Sequence, residues 1–213
     1  MEELTIIQKI TAYAIPIIFA ITVHEAAHGY AAKYFGDMTA QYLGRISLNP
    51  LKHIDPIGTI ILPALTVMLG GILFGWAKPV PVNFSNLRNP KKNMMWVALA
   101  GPLSNLLMAI FWTFLYARLQ IFPDGSIFFL QVMALAGIQI NLILMVLNMI
   151  PIPPLDGGRV AVSLLPYPWS SYIENLEKYG LFIIIFLLFS GVLGTILFPL
   201  INISKSIIFT IFG

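Results

Sequence analysis

Near the start of the chain, His24-Glu25-Ala26-Ala27-His28 has the residue types and spacing of a metal-dependent hydrolytic site. On a helix four residues advance through about 400°, so the two imidazoles share a face with their Cα atoms about 6 Å apart along the axis. That arrangement is a two-nitrogen clamp for one zinc ion. Glu25, about 100° round the helix from His24, can reach a water beside the metal without ligating it, which is the position of a general base. The three His and five Glu of this chain would generate the spacing by chance on the order of once in a thousand such sequences. The competing reading of these polar residues is an interhelical hydrogen-bond cluster inside a membrane.

A zinc hydrolase needs a third protein ligand and one open position, and with no cysteine in the chain that ligand comes from His, Asp or Glu. Asp156, in Pro151-Ile152-Pro153-Pro154-Leu155-Asp156-Gly157-Gly158, is the best candidate. The prolines stop the preceding helix, and the glycines let backbone come close to a ligand. Its other reading is a turn carboxylate or an N-cap for the segment after Gly158. Glu2, Glu3, Asp37, Asp124, Glu174 and Glu177 fall in aqueous termini or loops, and Asp55 precedes Pro56 as an N-cap precedes a first-turn proline. His53 reads as an interfacial loop residue. Asn105 reads as a packing residue beside Gly101 and Pro102, and Asn148 as an amide free to bond a neighbouring backbone group.

The elements that carry these residues belong to a membrane protein. Of 213 residues, 58% are hydrophobic and only 10% charged, against about 25% charge in soluble domains, so lipid is the solvent for most of the chain. The net charge of +3 sits in short connections between apolar blocks, which orients a membrane protein and excludes a nucleic-acid partner. The first block, about Leu4 to Ala32, follows Glu2 and Glu3 instead of a basic segment and reads as a retained span, kinked at Pro16. Met94 to Leu119 and Phe128 to Ile150 are further spans, and a last one begins near Leu181, runs to Phe198 and can continue toward Phe212. Residues 57–76 are of spanning length but contain Pro63 and several glycines between two basic flanks, so the segment re-enters or forms a fifth span. Residues 40–48 read as a short strand and residues 78–90, with three prolines, as extended or edge-strand chain. The expected fold class is therefore all-α, a polytopic helical membrane protein with short membrane-associated strands, in one domain over 1–213.

Three further stretches carry a family resemblance over about Ile21 to Arg159. His24 to His28 in an early helix, Ala100-Gly101-Pro102-Leu103-Ser104-Asn105 in a later one, and Asn148-Met149-Ile150-Pro151 leading to Asp156-Gly157 resemble the site-2 protease family of intramembrane zinc metalloproteases. The resemblance implies that His24, His28 and Asp156 bind one Zn2+ per chain, that Glu25 activates water, and that Asn148 contacts substrate. It also implies a compact member without a PDZ or CBS module. The expected activity is hydrolysis of a peptide bond within a transmembrane helix of another protein, by a multi-pass protein of the cell membrane with its site toward the cytoplasm. An intramembrane zinc transporter and a non-catalytic relative that binds membrane helices are the alternatives. The first would spread polar groups along a path through the bilayer, and the second would not need Glu25. Residues 40–48 and 78–84 are expected to hold the unwound substrate by strand addition.

Overall fold

The computed structural model describes residues 4–61, 75–122 and 127–213. Glu2, Glu3, Asp124 and the middle of the 57–76 segment lie outside the described residues. Helix α1 (Ile6–Tyr34) opens with a capping box, in which Thr5 accepts from the Gln8 N–H and the Gln8 side chain accepts from the Thr5 N–H. It continues through Pro16 as one helix of 29 residues. At 1.5 Å per residue that is about 43 Å, longer than the hydrocarbon core, so α1 must tilt or project from it. After the single turn α2 (Thr39–Tyr42) come α3 (Pro90–Leu119), α4 (Phe128–Asn148), α5 (Asp156–Leu164), α6 (Trp169–Phe189) and α7 (Val192–Phe212). Four of these, α1, α3, α4 and α7, are long and apolar enough to cross a membrane, and the protein is an integral multi-pass membrane protein.

Helices α1, α3 and α4 pack on one another, and α7 lies against α3 and α4. Small residues make the α1 contact close: Ala12, Ala20, Ala26, Gly29 and Ala32 are all on its buried side. Trp112, Ile138, Leu142, Val146, Ile201 and Ile208 fill the space between α3, α4 and α7. The last apolar stretch differs from expectation. Leu181–Phe189 ends α6, and the span is Val192–Phe212, because the chain turns at Ser190-Gly191. Gly191 adopts φ +78°, a left-handed conformation that stops a helix and that glycine takes without a Cβ penalty. The strand expected at 40–48 is also absent, and of the extended or edge-strand chain expected at 78–90 residues 78–83 are extended without a ladder, since no strand occurs among the described residues. Residues 39–42 instead close a helical turn through Tyr42 N–H to Met38 O and Leu43 N–H to Thr39 O. β-Forming side chains make a strand only where a ladder partner exists, and these backbone groups are satisfied locally.

Two backbone contacts decide how the ends of the helices are arranged. Arg88 N–H donates to Phe35 O at 2.9 Å, and the Arg88 guanidinium reaches Tyr34 O, so the end of α1 and the start of α3 lie together. Trp76 N–H donates to Gly58 O at 3.0 Å, and Thr59 Oγ1 donates to Trp76 O at 2.9 Å. A single crossing would separate those two ends by about 30 Å. The basic flanks on either side of residues 57–76 therefore share one face of the bundle; the choice between a re-entrant segment and a fifth span falls outside the described residues. Asp55 accepts from the N–H groups of Ile57 and Gly58, the capping role expected of it.

Asp37, expected in an aqueous loop, is fully buried. Burial raises its pKa, but hydrogen bonds from the Thr39 hydroxyl, the Asn83 and Thr39 N–H groups and the Asn86 amide outweigh that and hold it below the usual carboxylate range. A depressed folded pKa contributes stability that is complete above the unfolded value of about 3.9 and is lost as pH falls through the folded one. Asp37→Asn should cost about 2 kcal/mol at pH 7, the scale of hydrogen bonds to a charged group. Unfolding temperatures in detergent should show the wild-type advantage shrinking below about pH 4. An advantage constant from pH 7 to pH 3 would mean that the charge does not stabilise the loop.

Candidate metal centre

Helix α1 brings His24 and His28 onto the face that meets α3, and α3 presents Val97, Gly101 and Asn105 at intervals of four residues along one stripe. The helices are antiparallel, so the outer pair of that stripe meets the two imidazoles in reverse order. His24 Nδ1 lies 2.5 Å from Asn105 Oδ1, and His28 Nδ1 lies 2.7 Å from Val97 O. Between them Gly101 leaves the room the rings need. A Cβ there would lie 2.6 Å from His24 Cε1 and Nε2 and closer still to His28 Nε2.

The third group arrives from the loop after α4. Asp156 is the first residue of α5, following Leu155 at the N-cap, so it is not itself the cap. Its carboxylate stands 3.2 Å from His24 Nε2 and 3.3 Å from His28 Nε2. The loop is braced from behind by α6. Gly180 packs so tightly on it that a Cβ would lie 2.6 Å from the Pro153 carbonyl carbon and 2.7 Å from Pro154 Cδ.

The donor atoms fit one zinc. With each Nδ1 proton given to an oxygen acceptor, each Nε2 carries a lone pair, and the two Nε2 atoms are 3.1 Å apart. Two lone pairs and a carboxylate at such distances are favourable around a cation and costly without one. Ligand atoms about 2.0–2.1 Å from a tetrahedral zinc are themselves about 3.3–3.4 Å apart, close to the 3.1 Å between the two Nε2 atoms and to the 3.2 and 3.3 Å by which each reaches a different oxygen of Asp156. Among the described residues this is the group of His, Asp and Glu side chains that could hold a metal ion.

Glu25 is half-buried beside this group. Its Oε2 accepts from Val80 N–H at 2.8 Å, which fixes one carboxylate oxygen. The Arg45 guanidinium in turn holds the carbonyls of Lys78 and Pro79 at 3.1 and 3.2 Å. The extended segment at 78–83 thus serves Glu25, and it is poorly furnished for strand addition. The N–H groups of Lys78, Val80 and Asn83 are engaged by His53 O, Glu25 and Asp37, while Pro79 and Pro81 have none.

The remaining residues singled out by the sequence are placed as follows. Asn148 Nδ2 donates to Leu144 O at 3.0 Å, one turn back on its own helix. His53 is buried, with Nε2 2.8 Å from Ser47 O. Asn105, read as packing, is bonded to a candidate ligand. Asn141, which bonds Asn105, was not singled out at all, although a second amide in an apolar helix was a signal for it.

Similarity to known proteins agrees with this geometry. The model of "Peptidase family M50" matches residues 120–191. "Putative zinc metalloprotease YwhC" of Bacillus subtilis (strain 168) is 38% identical over 208 residues, which is 93% of this chain and 90% of the relative. The chain belongs to peptidase family M50, the site-2 protease family. Two further relatives named as putative zinc metalloproteases are Rip2 of Mycolicibacterium smegmatis, 32% identical over 86% of this chain and 69% of the relative, and MJ0611 of Methanocaldococcus jannaschii, 36% identical over 75% of this chain and 73% of the relative. Among solved structures there is no match. As an M50 member with a donor set of two imidazoles and a carboxylate, the protein is a zinc metallopeptidase that works in a lipid bilayer on protein substrates.

Proposed function

We propose that this M50 peptidase hydrolyses a peptide bond within a transmembrane helix of another membrane protein, using His24, His28 and Asp156 as zinc ligands and Glu25 as the base. The observation that carries the reading is depth. His28 and His24 precede the end of α1 by about 9 and 15 Å, and Val97 and Asn105 follow the start of α3 by about 10 and 22 Å, so the donor group lies well inside the bundle of apolar helices. A peptidase acting on soluble chains has no need of such a position.

Bound zinc supplies Lewis-acid polarisation of the scissile carbonyl and lowers the pKa of water. The chain's own groups do the rest. Glu25, with one oxygen fixed by Val80 N–H, accepts the proton of the attacking water on its other oxygen and later delivers it to the leaving amine. Asn148, turned toward Leu144 O in this structure, has an amide that can exchange that bond for one to the substrate backbone. The face at which α1 ends and α3 begins carries Lys33, Arg88, Lys91 and Lys92, and by the positive-inside rule it lies in the cytoplasm.

The test is cleavage in proteoliposomes of two substrates with the same residues: one as a transmembrane helix, one as a water-soluble unfolded peptide, with products sequenced. Cleavage inside the helical segment by zinc-loaded protein, abolished by chelation, is the expected result. Cleavage of the soluble peptide alone would overturn the intramembrane reading, and zinc flux without any cleavage would make the protein a carrier.

A further inference from the structure

Two asparagine side chains, Asn105 on α3 and Asn141 on α4, are completely buried among apolar helices. An amide in such surroundings costs several kcal/mol unless bonded, and both are bonded in a single directed chain. Asn141 Nδ2 donates to Gly137 O at 2.8 Å, Asn105 Nδ2 donates to Asn141 Oδ1 at 2.9 Å, and Asn105 Oδ1 faces His24 Nδ1 at 2.5 Å. The direction is forced from the far end. A backbone carbonyl can only accept, so Gly137 O requires the NH2 of Asn141, which turns the Asn141 oxygen to Asn105. Ala20 O, 3.3 Å from Asn105 Nδ2, independently requires the NH2 of Asn105 on the same side. Only the Asn105 oxygen is left for His24, and an oxygen acceptor needs a proton on Nδ1.

We infer that Asn105 and Asn141 are positioning residues, a polarised amide relay that holds His24 in the Nδ1–H form with the Nε2 lone pair aimed at the metal. This rests on the reading of His24 as a ligand. It assigns to three helices what the ligand motif on α1 alone does not settle, because an isolated neutral imidazole exchanges its proton between both nitrogens. His28 needs no such relay, since Val97 O plays the acceptor directly.

The relay is tested on metal-free protein, where activity plays no part. With only three histidines in the chain, 15N chemical shifts of histidine-labelled apoprotein in detergent resolve each ring. The His24 ring should show a protonated Nδ1 in wild type and a mixture of both forms in Asn105→Ala, which removes the acceptor, with a smaller change in Asn141→Leu, where Ala20 O still turns the Asn105 amide. Zinc affinity, read by competition with a fluorescent chelator, should fall about 10- to 100-fold in Asn105→Leu, the range for lost orienting partners of metal-bound histidine. Asn105→Asp should lose less than Asn105→Leu, because it still offers His24 an oxygen although its second oxygen no longer donates to Asn141 Oδ1. A merely structural role for the amides predicts equal losses in Asn105→Leu and Asn105→Asp, since both break the bonds to Asn141 Oδ1 and Ala20 O. That result, or a wild-type His24 protonated at Nε2 and not at Nδ1, overturns the relay. His24→Ala separates the two claims: if it binds zinc like wild type the ligand reading fails, whereas if it loses zinc and Asn105→Leu does not, the relay alone fails. Should Asn105→Leu not fold, the shifts of Asn105→Ala decide, and a His24 ring protonated at Nδ1 there as in wild type overturns the relay.

Discussion

Replacing Glu25 by glutamine should leave the zinc content near that of wild type and lower turnover by about 10²- to 10⁴-fold, the range for loss of a general base. Glutamine keeps the size of the side chain, and its carbonyl oxygen can still accept from Val80 N–H, the bond that fixes Glu25 at 2.8 Å. What it cannot do is take a proton at neutral pH. The candidate ligands are His24, His28 and Asp156, and the metal should stay because Glu25 is not among them. Metal analysis and cleavage of a reconstituted transmembrane substrate are measured on the same preparation. A variant that cuts at the wild-type rate would remove Glu25 from the mechanism, and one that loses zinc would make it a ligand.

Gly101→Ala should abolish zinc binding at the concentrations where wild type is saturated, a loss of at least about 100-fold in affinity. Adding one methyl group puts a carbon 2.6 Å from two ring atoms of His24 and nearer still to His28 Nε2. The helix backbone that carries it cannot retreat, since α1 and α4 both pack on α3. The imidazoles cannot retreat either without breaking the bonds to Asn105 Oδ1 and Val97 O. Alanine is a better helix former than glycine by about 1 kcal/mol, so α3 itself should not suffer. The expected result is a folded helical protein that lacks metal, read by circular dichroism and metal analysis together. Wild-type affinity in this variant would locate the metal away from the α1–α3 contact.

Features that depend on neighbours along the chain were legible in advance. The shared face of His24 and His28 and three of the four spans follow from the helical repeat and from the cost of charge in lipid, which act within one element. Asp156 was legible as an acid held between a helix-stopping proline run and two glycines. Features that depend on a partner element were not. Residues 39–42 turned helical because no ladder partner stood beside them, and the 181–198 stretch split at Gly191 because a left-handed residue ends a helix whatever its hydropathy. The return of the chain at Gly58 and Trp76, the service of residues 78–83 to Glu25, and the amides behind His24 join residues from 17 to 81 positions apart. The candidate ligand types, their helical register and the lipid environment could be read along the chain, because those are local geometry and transfer energy. Which nitrogen of each histidine faces Asp156, and what leaves room for the rings, came from tertiary packing, because the acceptors and the missing side chain at Gly101 lie on a second helix whose packing no periodicity along the first one encodes.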